Sequence, residues 1–143
     1  MTSSNSFPIM LFTSFLRRLV PLAGAAALMV ALPAQALQIM PYSAAALASA
    51  EKAGQSYALH FHASWCPTCR AQEKVLQNLQ SDAELDKVSV LVVDYDKEHD
   101  LKLARKVRAQ STLIVYHGTA EKARLAGDTD PANIKAALKA GLQ

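Results

Sequence analysis

Only two cysteines occur in the 143 residues, and no second pair accompanies them. That excludes a disulfide-rich scaffold. It also excludes a zinc site built from two cysteine pairs, which needs four ligands in paired spacing. No acidic residue precedes Glu51. No internal repeat or low-complexity linker interrupts the chain, and its length suits one domain. The apolar run Leu19–Leu32 is broken by Pro21 and Gly24. It falls short of the roughly 20 residues that a membrane span needs. Aromatic residues do not interleave with the basic cluster Lys102, Arg105, Lys106 and Arg108. The cluster therefore reads as a solvated helix face, and nucleic acid is not expected as a partner.

What the first 36 residues do contain is the layout of an export signal. Arg17 and Arg18 precede the apolar run, and Pro33-Ala34-Gln35-Ala36 follows it. Ala34 and Ala36 fit the two small positions of a signal-peptidase site. Cleavage is expected after Ala36, giving a signal peptide over 1–36 and one domain over 37–143. The alternative is an uncleaved signal that tethers the chain to a membrane. Without the leader the chain keeps 13 basic and 12 acidic residues, so its net charge falls from +3 to +1. Charge then says little about partners. The expected location is outside the cytosol, in the periplasm of a bacterial cell, and the expected state is a monomer.

The chemistry is concentrated in Trp65-Cys66-Pro67-Thr68-Cys69-Arg70, which holds both cysteines. The apolar stretch Tyr57–Ala63 before it reads as a strand. Ala71, Val75, Leu76 and Leu79 after it have helical spacing. Cys66 is thus expected at a helix N-terminus, where unpaired amides and the macrodipole favour a thiolate. Cys69, one turn on, is placed to resolve a mixed disulfide. A structural disulfide across so short a loop would stabilise weakly. Covalent haem attachment needs histidine after the second cysteine, and Arg70 stands there. A metal or iron–sulfur module using Cys66 and Cys69 with His60, His62 or a second chain is the alternative from a different class. A redox-inactive interaction domain is a third.

The remaining pattern alternates strands and helices. Strands are expected at Leu37–Met40, Tyr57–Ala63, Val88–Val93, Thr112–Tyr116 and Lys122–Ala126. Helices are expected at Ala44–Ala53, Pro67–Gln80, Leu101–Val107 and from Pro131 to about Gly141. Ser81–Lys87 reads as a polar connection. Ser43 and Asp130 are candidate N-caps, and Gly54 a stop. The order β-α-β-α-β-α-β-β-α implies parallel pairing with a late antiparallel hairpin.

The string Phe61–Cys69 resembles the strand-to-active-site signature of the thioredoxin superfamily, and the element order is similar from residue 37 to the end. The resemblance implies an α/β thioredoxin-like fold, with a mixed sheet of four to five strands flanked by helices on both faces. It implies an exported thiol–disulfide oxidoreductase with Cys66 as nucleophile, Cys69 as resolving thiol and no cofactor. Its partners would be protein thiol or disulfide substrates and an envelope redox partner. Trp65 and Pro67 would shape the site, with Gln110, Ser111 and Thr112 in the substrate-facing loop.

Three residues depart from the family pattern. His60 stands six positions before Cys66, where thioredoxins carry a buried acidic proton relay, and could take that role. Ser111 stands where the family has a cis-proline, and no proline lies between Pro67 and Pro131. The resemblance implies that Ser111→Pro would restore the docking edge and cover the sulfurs against metals. Lys74 replaces a helix-kinking proline.

Overall fold

A computed structural model describes residues 37–143. The signal-peptide and cleavage expectations fall on residues 1–36 and lie outside the described residues. Five strands and four helices alternate as β1 (Gln38–Pro41), α1 (Ala44–Lys52), β2 (Ser56–His62), α2 (Pro67–Asn78), β3 (Val88–Asp94), α3 (His99–Ala104), β4 (Thr112–His117), β5 (Ala120–Ala126) and α4 (Pro131–Ala140). The strands form one sheet in the order β1-β3-β2-β4-β5. β1 and β2 both run parallel to β3, whereas β2–β4 and β4–β5 are antiparallel.

The central strand β2 is buried on both faces, as its apolar sequence requires. On one face Ala58, Val90, Leu113 and Val115 pack against Leu76 of α2 and Ile134 and Leu138 of α4. On the other, Tyr57, Leu59, Phe61 and Ile114 pack against Leu47 and Ala50 of α1, with Leu101 of α3 at the margin. Each large side chain so buried contributes about 1.5–3 kcal/mol of transfer free energy. Among the described residues no helix is long and apolar enough to cross a membrane.

The polar connection after α2 is more ordered than its composition suggests. It forms two short 3-10 turns, Leu79–Ser81 and Ala83–Leu85, and the second buries Leu85 completely. α3 is displaced from its expected position. It begins at His99 and stops at Ala104, because Lys106 turns left-handed at φ 54°. The Val107 N–H then reaches the Lys102 carbonyl at 2.8 Å, and the Lys106 N–H that of Leu103 at 3.1 Å. This is a Schellman end. Val107 is its hydrophobic contact, packed on the core beyond the helix.

The register between β2 and β4 positions the functional site. Phe61, near the end of β2, pairs with Thr112, the first residue of β4. The loop entering β4 is thereby laid against the turn between β2 and α2.

Candidate active site

Cys66 is the N-cap of α2, with extended backbone at φ −88° and ψ 118°, and Pro67 occupies the first helical turn. Proline costs nothing there, because that turn's N–H groups have no intrahelical acceptor. The Cys69 N–H donates to Cys66 Sγ at 3.3 Å. Both cysteines are free thiols; Cys66 is 3% exposed and Cys69 fully buried. They pack with Ala63, flanked by Tyr95.

Ser111 is the side chain that joins the two sulfurs. Its Oγ lies 3.2 Å from Cys66 Sγ and 3.1 Å from Cys69 Sγ. Burial pushes the Cys66 thiol up, but hydrogen bonds from Cys69, from the Ser111 hydroxyl and from the Cys69 and Thr68 amides outweigh it. The result is about 7, against an ordinary 9.0. Cys69 is raised, by burial and by its hydrogen bond to Cys66. One thiol is therefore an anion near neutrality while the other keeps its proton, as sequential attack and resolution require.

Ser111 is held in a backbone conformation that side chains rarely adopt, at φ 60°. Its N–H donates to the Phe61 carbonyl at 2.9 Å. Its carbonyl accepts from Gly127 N–H at 2.9 Å and from Gln72 Nε2 at 3.0 Å. These contacts correct one expectation from the resemblance. Proline fixes φ near −65° and has no N–H, so Ser111→Pro fits neither the angle nor the bond to Phe61 and cannot restore a docking edge here.

The residue that sequence reasoning missed is Gln72. It is 1% exposed on the inner stripe of α2, between Cys69 and Leu76. Its amide accepts from His60 Nε2 at 3.1 Å and donates to the Ser111 and Asp128 carbonyls at 3.0 and 2.7 Å. Two carbonyl acceptors fix the amide's orientation, so His60 must present Nε2–H to it. His60 Nδ1 is then an unprotonated acceptor, buried without a hydrogen-bond partner. Burial, followed by the His62 ring, lowers the His60 imidazole to about 4. It is therefore neutral at physiological pH, and its connection to the sulfurs runs through Gln72 and Ser111. The available signal was a glutamine at the i+3 spacing of the buried stripe.

His62 meets the His60 ring edge-on at 5.5 Å. Its Nε2 lies 3.5 Å from Glu73 Oε2, an ionic approach without hydrogen-bond geometry, which leaves that nitrogen unsatisfied. Trp65 is 58% exposed beside the thiols, and its indole N–H donates to Asp96 Oδ2 at 2.9 Å. Gln110 is half-buried on the approach to Ser111. Thr112 is buried, and its hydroxyl donates to the Ala109 carbonyl at 2.8 Å, shaping the loop from within. In the basic cluster, Arg105 pairs with Glu51, and Lys102 lies over the Tyr95 ring at 3.9 Å.

A reduced cysteine pair at a helix start, faced by a loop from the adjoining antiparallel strand of a five-stranded mixed sheet, is the thioredoxin architecture. Residues 44–140 match the family model described as Thioredoxin, and the chain belongs to the thioredoxin family. It is 32% identical to Trxlp from Edwardsiella tarda EIB202. The two structures superpose with a TM-score of 0.68 over 71% of this chain and 98% of that one. Oxidised thioredoxin O2 from Arabidopsis thaliana is 25% identical, with a TM-score of 0.60 over 73% and 93% of the two chains. A curated Dictyostelium discoideum protein with thioredoxin-5 in its name is 29% identical over 69 residues. Those residues are 48% of this chain and 66% of that protein, just under two thirds of its length.

Proposed function

We propose that this protein is an exported thiol–disulfide oxidoreductase that exchanges disulfides with envelope proteins through Cys66 and Cys69. The observation that carries the reading is the asymmetry of the two sulfurs: Cys66 caps the N-terminus of α2, where its Sγ receives the Cys69 N–H at 3.3 Å and meets the Ser111 hydroxyl at 3.2 Å, whereas Cys69 lies fully buried one turn on. The Cys66 thiolate attacks a substrate disulfide, forming a mixed disulfide and expelling one substrate thiolate. Cys69 then attacks Cys66, closing the internal disulfide and releasing the second substrate thiol. Two electrons pass to the substrate; the one proton of the pair, from Cys69, ends on one substrate sulfur, and the other substrate sulfur leaves as a thiolate that takes its proton from solvent. An envelope partner returns the pair to the dithiol.

The redox-inactive reading is disfavoured by the same asymmetry, because a vestigial pair needs no stabilised thiolate. Among the described residues no three His, Cys, Asp or Glu side chains are grouped to hold an ion, so the metal reading requires a second chain. Export rests on the leader's composition, as does the proposed mature start at Leu37.

Disulfide reduction of insulin by the chain over 37–143, with a small dithiol as reductant, tests the activity. Cys69→Ser should accumulate partners as mixed disulfides on Cys66, and Cys66→Ser far fewer. Equal trapping by both would remove the assignment of the nucleophile. Mass spectrometry of the protein from expressing cells tests the leader. A chain that retains residues before Leu37 would replace the cleaved signal with an anchor.

A further inference from the structure

We propose that Ser111 is a catalytic residue whose single hydroxyl proton serves the two sulfurs in turn, donating first to the Cys66 thiolate and then to the Cys69 thiolate. The inference rests on the reading of Cys66 as nucleophile and Cys69 as resolving thiol, and it adds a third reacting-site group to that pair.

The geometry is that of a shared donor. Ser111 Oγ is within hydrogen-bond range of both sulfurs, at 3.2 and 3.1 Å. A hydroxyl has one proton and two lone pairs. With Cys66 ionised, its contact to Oγ is satisfied in only one sense: the O–H donates to the Cys66 thiolate, and an Oγ lone pair is left facing Cys69. Once Cys66 is tied into a mixed disulfide it carries no charge and accepts only weakly. Rotation about the Ser111 Cβ–Oγ bond then turns the same proton toward Cys69 as that thiol ionises. Cys69 attacks Cys66, the Cys66–Cys69 bond forms, and the bond from Cys66 to the substrate breaks. The proton lost by Cys69 ends on the departing substrate sulfur, so the hydroxyl is unchanged at the end.

The hydroxyl is held in place for this. Ser111 is 3% exposed, so bulk water does not compete for the sulfurs. Its N–H is fixed to Phe61, and its carbonyl to Gly127 and Gln72. A side chain at φ 60° persists only where its surroundings over-determine it, and such strain gathers at functional sites. The other titratable group tied to this residue is His60, one amide away through Gln72. It is neutral and does not compete for the proton.

Two variants of the chain over 37–143 test the proposal. Ser111→Ala removes the hydroxyl and keeps the strained backbone. Ser111→Gly removes the hydroxyl and accepts φ 60° without strain. Each is titrated by the ultraviolet absorbance of its thiolate. Each is then mixed, reduced, with an excess of a chromogenic aromatic disulfide. One chromophore is released when Cys66 attacks and a second when Cys69 resolves. Both variants should titrate about one unit higher at Cys66, the equivalent of a tenfold loss of thiolate stabilisation. Both should also release the second chromophore about tenfold more slowly. An unchanged second phase in both variants overturns the shared-donor role, and so does a Gly variant that behaves like the parent. A parent that releases no second chromophore overturns the resolving assignment of Cys69. The titration still decides whether the hydroxyl donates to Cys66.

Discussion

Replacing Gln72 with leucine exchanges a buried amide for an apolar side chain of similar size, and the three groups it leaves behind are not equivalent. His60 Nε2–H loses its acceptor, and at 1% exposure bulk solvent does not reach the ring. An unsatisfied buried donor costs about 1–3 kcal/mol. The Ser111 carbonyl keeps its bond from Gly127 N–H, so losing its second donor costs about 0.5–1 kcal/mol. The Asp128 carbonyl is only part-buried and can turn to solvent. Leucine recovers about 1 kcal/mol, because no amide has to be desolvated. The net expectation is a loss of about 2 kcal/mol, read as a lower urea midpoint at unchanged slope for the reduced chain at neutral pH. A loss below about 0.5 kcal/mol would refute the reasoning, since His60 would then have another acceptor. Gln72→Glu sharpens the test. An ionised carboxylate still accepts from His60 but cannot donate to either carbonyl, and it should draw the imidazole value upward from about 4.

Three further outcomes are expected. Ser111→Pro should lower stability by at least about 2 kcal/mol, because φ 60° and the N–H bond to Phe61 are both incompatible with proline; a parent-like melting midpoint would show that the loop is not held as described. His60 is depressed in the folded chain relative to the unfolded one, so its contribution to stability is complete above about 6.5 and lost as pH falls toward 4. About 3 kcal/mol should disappear across that window in urea titrations, and His60→Asn should flatten the profile. Lys106→Gly should raise the thermal midpoint modestly, by relieving about 1 kcal/mol of left-handed strain at the end of α3, and a lower midpoint would contradict that end's geometry.

The contrast between Gly54 and Lys106 shows what could be read from the sequence. Both take the left-handed position after a helix, at φ 62° and 54°. Gly54 announced the end of α1 because glycine is the residue that geometry favours. Lys106 gave no such sign, and the apolar spacing of Leu101, Leu103, Ala104 and Val107 carried the expected helix too far. The start of α4 was plain for a similar local reason, since Asp130 accepts from the Ala132 and Asn133 amides and Pro131 follows it. The cysteine pair was legible because its chemistry follows from helix position alone. Ser111 lies in the loop that faces the cysteines, and its torsion angle and its double contact depend on the register of β2 against β4. Gln72 was invisible for the same kind of reason: its three partners come from β2, the loop before β4 and the loop after β5.

A hydroxyl between two sulfurs also sets a voltage. Its bond to the Cys66 thiolate exists while the pair is reduced and is weakened once the sulfurs join, because a disulfide sulfur accepts poorly. Any group that stabilises only the dithiol draws the couple toward the oxidising end of the scale, by about 30 mV for each 1.4 kcal/mol. On the shared-donor proposal, Ser111 therefore ties the potential of the pair to a backbone torsion angle. As long as the loop keeps its strained turn, the pair is a readier acceptor of electrons than the same two cysteines with a bare backbone opposite them.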